Sequence, residues 1–316
     1  MKKIFNTIMA IGVLTALFVT SCGVASPDEA RALKVLASTS FLADIARNVA
    51  GDRTIVDSLL PVGADPHAYQ ATPSDVVKIS QSTVLILNGL EYEHFIESLL
   101  ENAGGERLII TASEGLEPHA MKDHEDAEKE HAEEGEEDNH EEGDPHMWLD
   151  PVLVLTYVEN IRDGLREADP EGTEMYKANA GAYIAELQEL DAFIKEQVES
   201  IPPERRLLVT NHEAMGYFAE RYGFDVVDTI LPSFSSDASA SAREVAEAIE
   251  AIRSSGAPAI FLGEVENANL ARQIAAETGV KLVDGLYLES LTDGAPAGTY
   301  IDMMKYNVSL IVQALR

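Results

Sequence analysis

The chain has 316 residues, 46% of them apolar, and a formal net charge of −32. A surface this acidic excludes nucleic acid or anionic lipid as charge-driven partners and favours cations. Cys22 is the only cysteine, which excludes a disulfide framework and a cysteine-based zinc site.

Met1-Lys2-Lys3 and the apolar run Ile8–Val19 have the charge and length of a secretory signal over residues 1–21, too short to span a bilayer stably. Val19-Thr20-Ser21-Cys22 resembles the lipobox of bacterial lipoproteins. On that reading Cys22 becomes the lipidated N-terminus, residues 22–32 are a tether, and the protein is extracytoplasmic and membrane-anchored. Losing Lys2 and Lys3 leaves the mature chain near −34 by subtraction from −32. Roughly 285 residues follow, enough for two α/β domains.

Strands alternate with helices through the first of these, residues 33–170. The pattern predicts strands at Lys34–Ala37, Thr54–Leu60, Val84–Leu87 and Arg107–Thr111. Helices are expected at Phe41–Ala50, Ser74–Ser80 and Tyr92–Asn102. Such alternation argues for a parallel sheet with helices on both faces. Residues 117–143 are dominated by Glu and Asp, with His119, His124, His131 and His140 among them. With almost no apolar residue the segment is expected to be a disordered loop. Its histidines suit weak, auxiliary metal collection, and the entropy of ordering argues against a tight site there.

Asp150-Pro151 is expected to open a helix running to about Ala168. A longer helix follows within residues 171–201. Its apolar positions Tyr176, Tyr183, Leu187, Leu190 and Ile194 step by seven, four, three and four, a helical stripe. That helix reads as a rigid strut. The second lobe, 202–316, repeats the first, with strands at Leu207–Thr210, Asp225–Leu231, Ala259–Leu262 and Val280–Val283 and a closing helix at Tyr300–Leu315. The fold class is α/β: two lobes, each a mainly parallel sheet flanked by helices, joined by one long helix.

Two short stretches carry the chemistry. Asp65-Pro66-His67-Ala68-Tyr69 and Asp144-Pro145-His146-Met147-Trp148 share one pattern, a histidine after a proline-stiffened turn with an aromatic ring two residues on. Metal sites need imidazoles on rigid, supported backbone. His67 and His212 follow strands directly, His146 follows the acidic loop, and Glu289 follows the last strand. Ligands of open parallel sheets bind beyond the carboxyl ends of the strands. Facing lobes would bring these four residues to one cleft, and three imidazoles with a carboxylate suit Zn²⁺. Asp65 and Asp144 read mainly as turn residues, with bonding of the second imidazole nitrogen as the alternative, and Tyr69 and Trp148 as packing behind the histidines. Glu213 reads as a first-turn acid, and Glu264 as a capping or supporting group.

At this point the chain resembles a known family, the metal-binding solute-binding lipoproteins of ABC transporters, of the ZnuA and TroA type. The resemblance spans the mature chain and rests on Gly63–Tyr69, Asp144–Pro151, Thr210-Asn211-His212-Glu213-Ala214 and Thr299–Asn307. It implies metal held between two lobes by His67, His146, His212 and a late acidic residue, and delivery of the metal to a membrane permease. Members with a third histidine are mostly zinc proteins, which makes Zn²⁺ the expected cargo and Mn²⁺ the runner-up. Three acids compete as fourth ligand: Glu264, Asp284 and Glu289. Counting back from the Tyr300 tail places Glu289-Ser290 at the acid-serine step of related chains. Relatives carry a Glu-Pro-Ser element where this chain has Asp237-Ala238-Ser239-Ala240, which leaves the role of Asp237 open. A zinc hydrolase using Glu213 or Glu264 as base, and a surface adhesin, are the competing classes. Against the hydrolase stands the lack of a His-Glu-x-x-His pair. The protein is expected to bind without turnover, as a monomer.

Overall fold

The computed structural model describes residues 33–316 apart from 121–142, Pro232, Asp237 and Asn267. The expectations for the leader, for Cys22 and for His124, His131 and His140 lie outside the described residues, as does Asp237.

Two four-stranded sheets, both wholly parallel, share one strand order. The first runs β2 (Ile55–Ser58), β1 (Lys34–Ala37), β3 (Val84–Leu87), β4 (Leu108–Thr111). The second runs β6 (Asp225–Thr229), β5 (Leu207–Thr210), β7 (Ala259–Gly263), β8 (Lys281–Leu286). Parallel neighbours need crossovers. These are α1 (Ser40–Ala50), α2 (Pro73–Gln81) and α3 (Ile96–Ala103) in the first lobe, and α6 (Gly216–Tyr222), α7 (Ala242–Ser255) and α8 (Ala268–Thr278) in the second. In each sheet the order reverses beside the first strand, so β1/β3 and β5/β7 are switch points with a crevice at their carboxyl ends.

The inner strands β1, β3, β5 and β7 are apolar on both faces, as a sheet covered on both sides requires. Side chains alternate between two cores. Val35, Ala37, Val84 and Ile86 face one central cluster, while Leu36 and Leu85 face a smaller outer one with Leu59, Ile79 and Leu99. The second lobe does the same: Leu208, Ala259 and Phe261 point into the central cluster, and Val209, Ile260 and Leu262 into an outer one. The central cluster is therefore continuous through both lobes.

With α1 and α6, three further helices fill it: α4 (Val154–Ala168), α5 (Thr173–Glu199) and α9 (Tyr300–Leu315). At ~1.5 Å per residue α5 is about 40 Å long. All five residues of its predicted stripe are buried, and Ala180 and Val198 extend the stripe. The helix packs on α1 and α4 of one lobe and on α6 and α9 of the other.

Some boundaries differ from the sequence reading. The helix expected from Tyr92 begins at Ile96, because Gly89, Leu90 and Glu91 take positive φ of 92°, 55° and 57°. That turn leaves Tyr92 free to point inward. The helix expected from Asp150 begins at Val154, after a short 3-10 turn at Met147–Leu149. Asp150 instead accepts a hydrogen bond from the Val152 amide at 2.8 Å and pairs with Arg221 at 2.7 Å. The expectation of disorder does not hold for residues 117–120. The ring of His119 stacks on Tyr217 at 4.0 Å, its amide donates to the Tyr217 hydroxyl, and Ala120 bridges to Gly143.

Leu187 sits on α5 with no exposed surface. Leu187→Ala should cost ~2–5 kcal/mol in chemical denaturation, while Met175→Ala, at 45% exposure on the same helix, should stay within ~0.5 kcal/mol. Similar losses for both would remove α5 from the shared core.

Candidate metal centre

His67 and His146 stand on the same local device. In each turn the first aspartate accepts the histidine's own backbone N–H, at 3.0 Å for Asp65 and 2.9 Å for Asp144. The proline between them fixes φ and keeps the turn tight. The two copies then diverge. Asp144 Oδ1 also holds the ring of His146, at 2.8 Å from Nδ1, whereas Asp65 Oδ2 accepts from Ser236 Oγ of the opposite lobe at 2.8 Å. Asp144 thus combines the turn role expected of it with the alternative one, holding the second imidazole nitrogen.

His212 lies just beyond β5, where Thr210 Oγ1 donates to its carbonyl at 2.9 Å. Its Nδ1 is held at 2.5 Å by Glu266 Oε1, from the turn after β7. In the neutral rings, an Nδ1–H given to a carboxylate leaves the Nε2 lone pair of His146 and of His212 pointing inward. Glu289 follows β8. Its Oε2 accepts from the Tyr92 hydroxyl at 2.6 Å, and its backbone is held by Glu264.

The inward atoms converge. Glu289 Oε1 lies 3.8 Å from Nε2 of His67 and 3.5 Å from Nε2 of both His146 and His212. The latter two nitrogens are 3.4 Å apart, and all four ligand atoms lie within 4.8 Å of one another. Corners of a tetrahedron drawn around a zinc ion at ~2.0–2.2 Å would be about 3.3–3.6 Å apart. The edges among His146, His212 and Glu289, at 3.4 and 3.5 Å, fit that figure, while His67 Nε2 stands farther out, at 3.8 Å from Glu289 Oε1. His146, His212 and Glu289 are each at most 1% exposed. Among the described residues neither His67 Nε2 nor Glu289 Oε1 has a hydrogen-bond partner, and buried polar atoms are rarely left so. A cation at the centre would supply the missing partner to both.

The other expected residues fall as follows. Asp284 is exposed within β8 rather than at its end, so it faces away from the cluster. Glu264 turns to the backbone of the loop bearing Glu289 and offers no atom to the centre. Trp148 packs behind His146 at 5.1 Å and stacks on Phe41 at 4.5 Å, as expected. Tyr69 does not pack there: its hydroxyl is drawn to Asp75 at 2.8 Å and its ring to Phe95. The aromatic beside His67 is Tyr92, at 5.3 Å. His119 lies apart, with Nε2 2.8 Å from Glu220. Glu213 lines a neighbouring cavity of about 440 Å³ with His119 and Glu220. Sequence reasoning missed Tyr92 and Glu266. The one signal for Glu266 was its place just beyond β7, at the switch point of the second sheet.

Two facing parallel sheets with a buried histidine-carboxylate cluster between their carboxyl ends define a two-lobed receptor for a metal ion. The chain belongs to the family of the zinc-uptake complex component A, periplasmic, whose profile matches residues 35–314. It is 32% identical over 320 residues to the manganese-binding lipoprotein MntA of Halalkalibacterium halodurans, covering 100% of this chain and 99% of that one. Among solved structures it resembles the Mn-bound periplasmic metal-binding protein of Candidatus Liberibacter asiaticus, with a TM-score of 0.77 and 29% identity over 90% of this chain and 100% of that one. The periplasmic zinc-binding protein TroA of Treponema pallidum matches with a TM-score of 0.77 and 28% identity, over 90% and 99% of the two chains. The protein is thus a metal-binding, substrate-binding component of the ABC-transporter type.

The cluster carries its own electrostatics. Burial disfavours a charged His212, but hydrogen bonds to Glu266 and Glu289 prevail and lift it to about 10. Burial acts the same way on His146, and Asp144 and Glu289 raise it in the end. Burial pushes Glu289 up, yet the three imidazoles hold it well below the usual carboxylate range. In the metal-free protein, protons therefore stand in for the cation. The charged His212 stabilises that form fully below pH ~6.5 and its contribution fades as pH rises through about 10. An incoming cation displaces the proton. Apparent affinity should therefore climb with pH beyond the ordinary histidine range, by about tenfold per unit between pH 7 and 9 for each proton released. Competition with a chelator of known titration measures this, and a plateau above pH 7.5 would contradict a raised His212.

Proposed function

We propose that the protein captures Zn²⁺ outside the membrane through His67, His146, His212 and Glu289 and hands it to an ABC permease. Cys22 serves as the lipid anchor on this reading, the working form is a monomer, and the boundaries of the two lobes are 33–170 and 202–316. The observation that carries the zinc assignment is the four-donor geometry. Nε2 of His146 and His212 and Oε1 of Glu289 lie at tetrahedral spacing with His67 Nε2 farther out as the fourth donor, while Tyr92 occupies the second oxygen of Glu289. A carboxylate restricted to one donor atom favours four-coordinate Zn²⁺ over the higher, oxygen-rich coordination that Mn²⁺ prefers. The same argument supports binding without turnover, since Glu289 fills the corner that a zinc hydrolase keeps open for water.

Manganese is the second reading, favoured by the naming of MntA as manganese-binding. Competition of Zn²⁺ against Mn²⁺ on metal-free protein decides between them. Zn²⁺ should win by far more than tenfold, about 1.4 kcal/mol; equal or reversed preference would make this a manganese receptor. Glu289→Ala should lose at least ~10–100-fold in zinc affinity, and Asp284→Ala should bind like the unaltered chain. The reverse result would move the fourth donor.

His119, His124, His131 and His140 are proposed as auxiliary, weak collectors of metal. The four proposed tight donors are found among the described residues. A chain lacking Lys122–Glu142 should keep one tight site and lose only weak ones in calorimetry. Loss of the tight site would place a donor in the deleted segment.

A further inference from the structure

The turn that follows β7 is Gly263-Glu264-Val265-Glu266, and neither of its carboxylates is a donor to the cluster. Both are nevertheless spent on it. Glu266 Oε1 holds Nδ1 of His212 at 2.5 Å, and its Oε2 accepts from the Gly263 amide at 2.5 Å. The Glu266 side chain is 1% exposed. Glu264 faces the other way. Its Oε2 accepts from the Leu288 amide at 2.8 Å, and its Oε1 accepts from the amides of Glu289 at 3.2 Å and Ser290 at 2.8 Å. Three consecutive backbone N–H groups of the loop that presents Glu289 thus converge on one side chain. Two carboxylate oxygens offer enough lone pairs to satisfy all three amides at once.

The turn is folded closely enough that a side chain at its first residue would crowd its neighbours. A Cβ on Gly263 would lie 3.2 Å from Cδ and 3.3 Å from Oε2 of Glu266, and 3.3 Å from Cδ1 of Leu288. The residue that carries β7 into the turn is therefore in contact with both dependants, the carboxylate behind His212 and the loop before Glu289.

We propose that Glu264 and Glu266 are paired positioning residues, through which one four-residue turn aligns His212 and Glu289 as a single two-donor unit. The inference rests on the reading that His67, His146, His212 and Glu289 hold the metal. His212 and Glu289 leave different strands, β5 and β8, which flank β7 on either side. No direct strand pairing sets their relative placement; the intervening turn does. Glu266 fixes the ring's rotation so that Nε2 points inward. Glu264 fixes the loop so that Oε1 rather than backbone meets the imidazoles. Errors in either would spread the tetrahedral edges, and carboxylates in such supporting positions commonly change metal affinity ~10–100-fold when replaced.

The test uses the full mature chain with Glu264→Gln, Glu266→Gln and, as a control on the same lobe, Asp284→Asn. A glutamine keeps the shape of Glu264 but sets one acceptor oxygen and an N–H₂ group against three donors. Each variant is measured for zinc affinity by chelator competition, for the visible absorption of bound Co²⁺, and for the melting temperature of the metal-free form. Both glutamine variants should lose ~10–100-fold in zinc affinity. Their Co²⁺ spectra should move from the intense bands of four-coordination toward the weaker bands of higher coordination, with the control unchanged. Merely structural residues would lower the metal-free melting temperature and leave the Co²⁺ spectrum of the folded fraction as it was, which would overturn the proposal. Unaltered affinity and spectra in both variants would overturn it too. Should Glu264→Gln fail to fold, Glu266→Gln carries the test on the same criteria. If the unaltered chain itself takes up neither Zn²⁺ nor Co²⁺, the four-donor reading falls, and this one falls with it.

Discussion

Three imidazole nitrogens and a carboxylate oxygen crowded into a dry interior are stable only with positive charge among them. Burial makes each unpaired polar atom costly, and the low local dielectric magnifies every interaction among the four. Protons meet the need in the metal-free protein, which is why His146 and His212 are raised and Glu289 is lowered. A divalent cation meets it better, because one ion can touch all four atoms together while a proton serves at most two. The surrounding carboxylates, Asp144 on one ring and Glu266 on another, extend the same logic outward by orienting the rings and adding negative charge behind them.

Holding four such groups together requires a scaffold that resists their separation. Much of that resistance sits at the seam between the lobes. Trp148 Nε1 donates to the Leu288 carbonyl at 2.8 Å, and the Tyr300 hydroxyl donates to the Trp148 carbonyl at 2.6 Å. Asp44 accepts the Tyr300 amide, and Ser290 Oγ accepts from the Gly63 amide at 2.8 Å. All of these bonds but the one between Asp44 and Tyr300 end within a few residues of His67, His146 or Glu289. The seam and the metal cluster are one piece of construction, in which the backbone that carries a donor is tied to the lobe opposite.

The fold was largely legible in the sequence because it rests on local periodicities. Strand-helix alternation, the stripe on α5 and the prolines after Asp65 and Asp144 act over a few residues, and the chain writes them out directly. The four residues that the structure brings together, His67, His146, His212 and Glu289, were legible for a related reason, since histidines at strand ends and on stiffened turns are unusual enough to be noticed. The supporting residues were not. Glu266 meets His212 across 54 residues and Tyr92 meets Glu289 across 197, and nothing local marks either as a partner. Tyr92 was further hidden inside an expected helix, which the left-handed turn at Leu90 and Glu91 delays to Ile96. Tyr69 misled for the opposite reason: its motif matched that of Trp148, but Asp75 captures its hydroxyl.

The central apolar cluster has a bearing on how the molecule comes apart. Because residues from both sheets and from α1, α4, α5 and α9 share it, neither half can lose its inner face to water without exposing that of its neighbour. Unfolding is therefore coupled along the chain, and the outer clusters, confined to one lobe each, are the parts with freedom to loosen alone. An ion bound across the seam acts on the coupled part. By mass action it raises the stability of the whole assembly in proportion to the logarithm of its free concentration. Scarcity of the cargo thus becomes a lower threshold for thermal loss and proteolysis of the receptor itself, so that cargo supply and the lifetime of the empty protein rise and fall together.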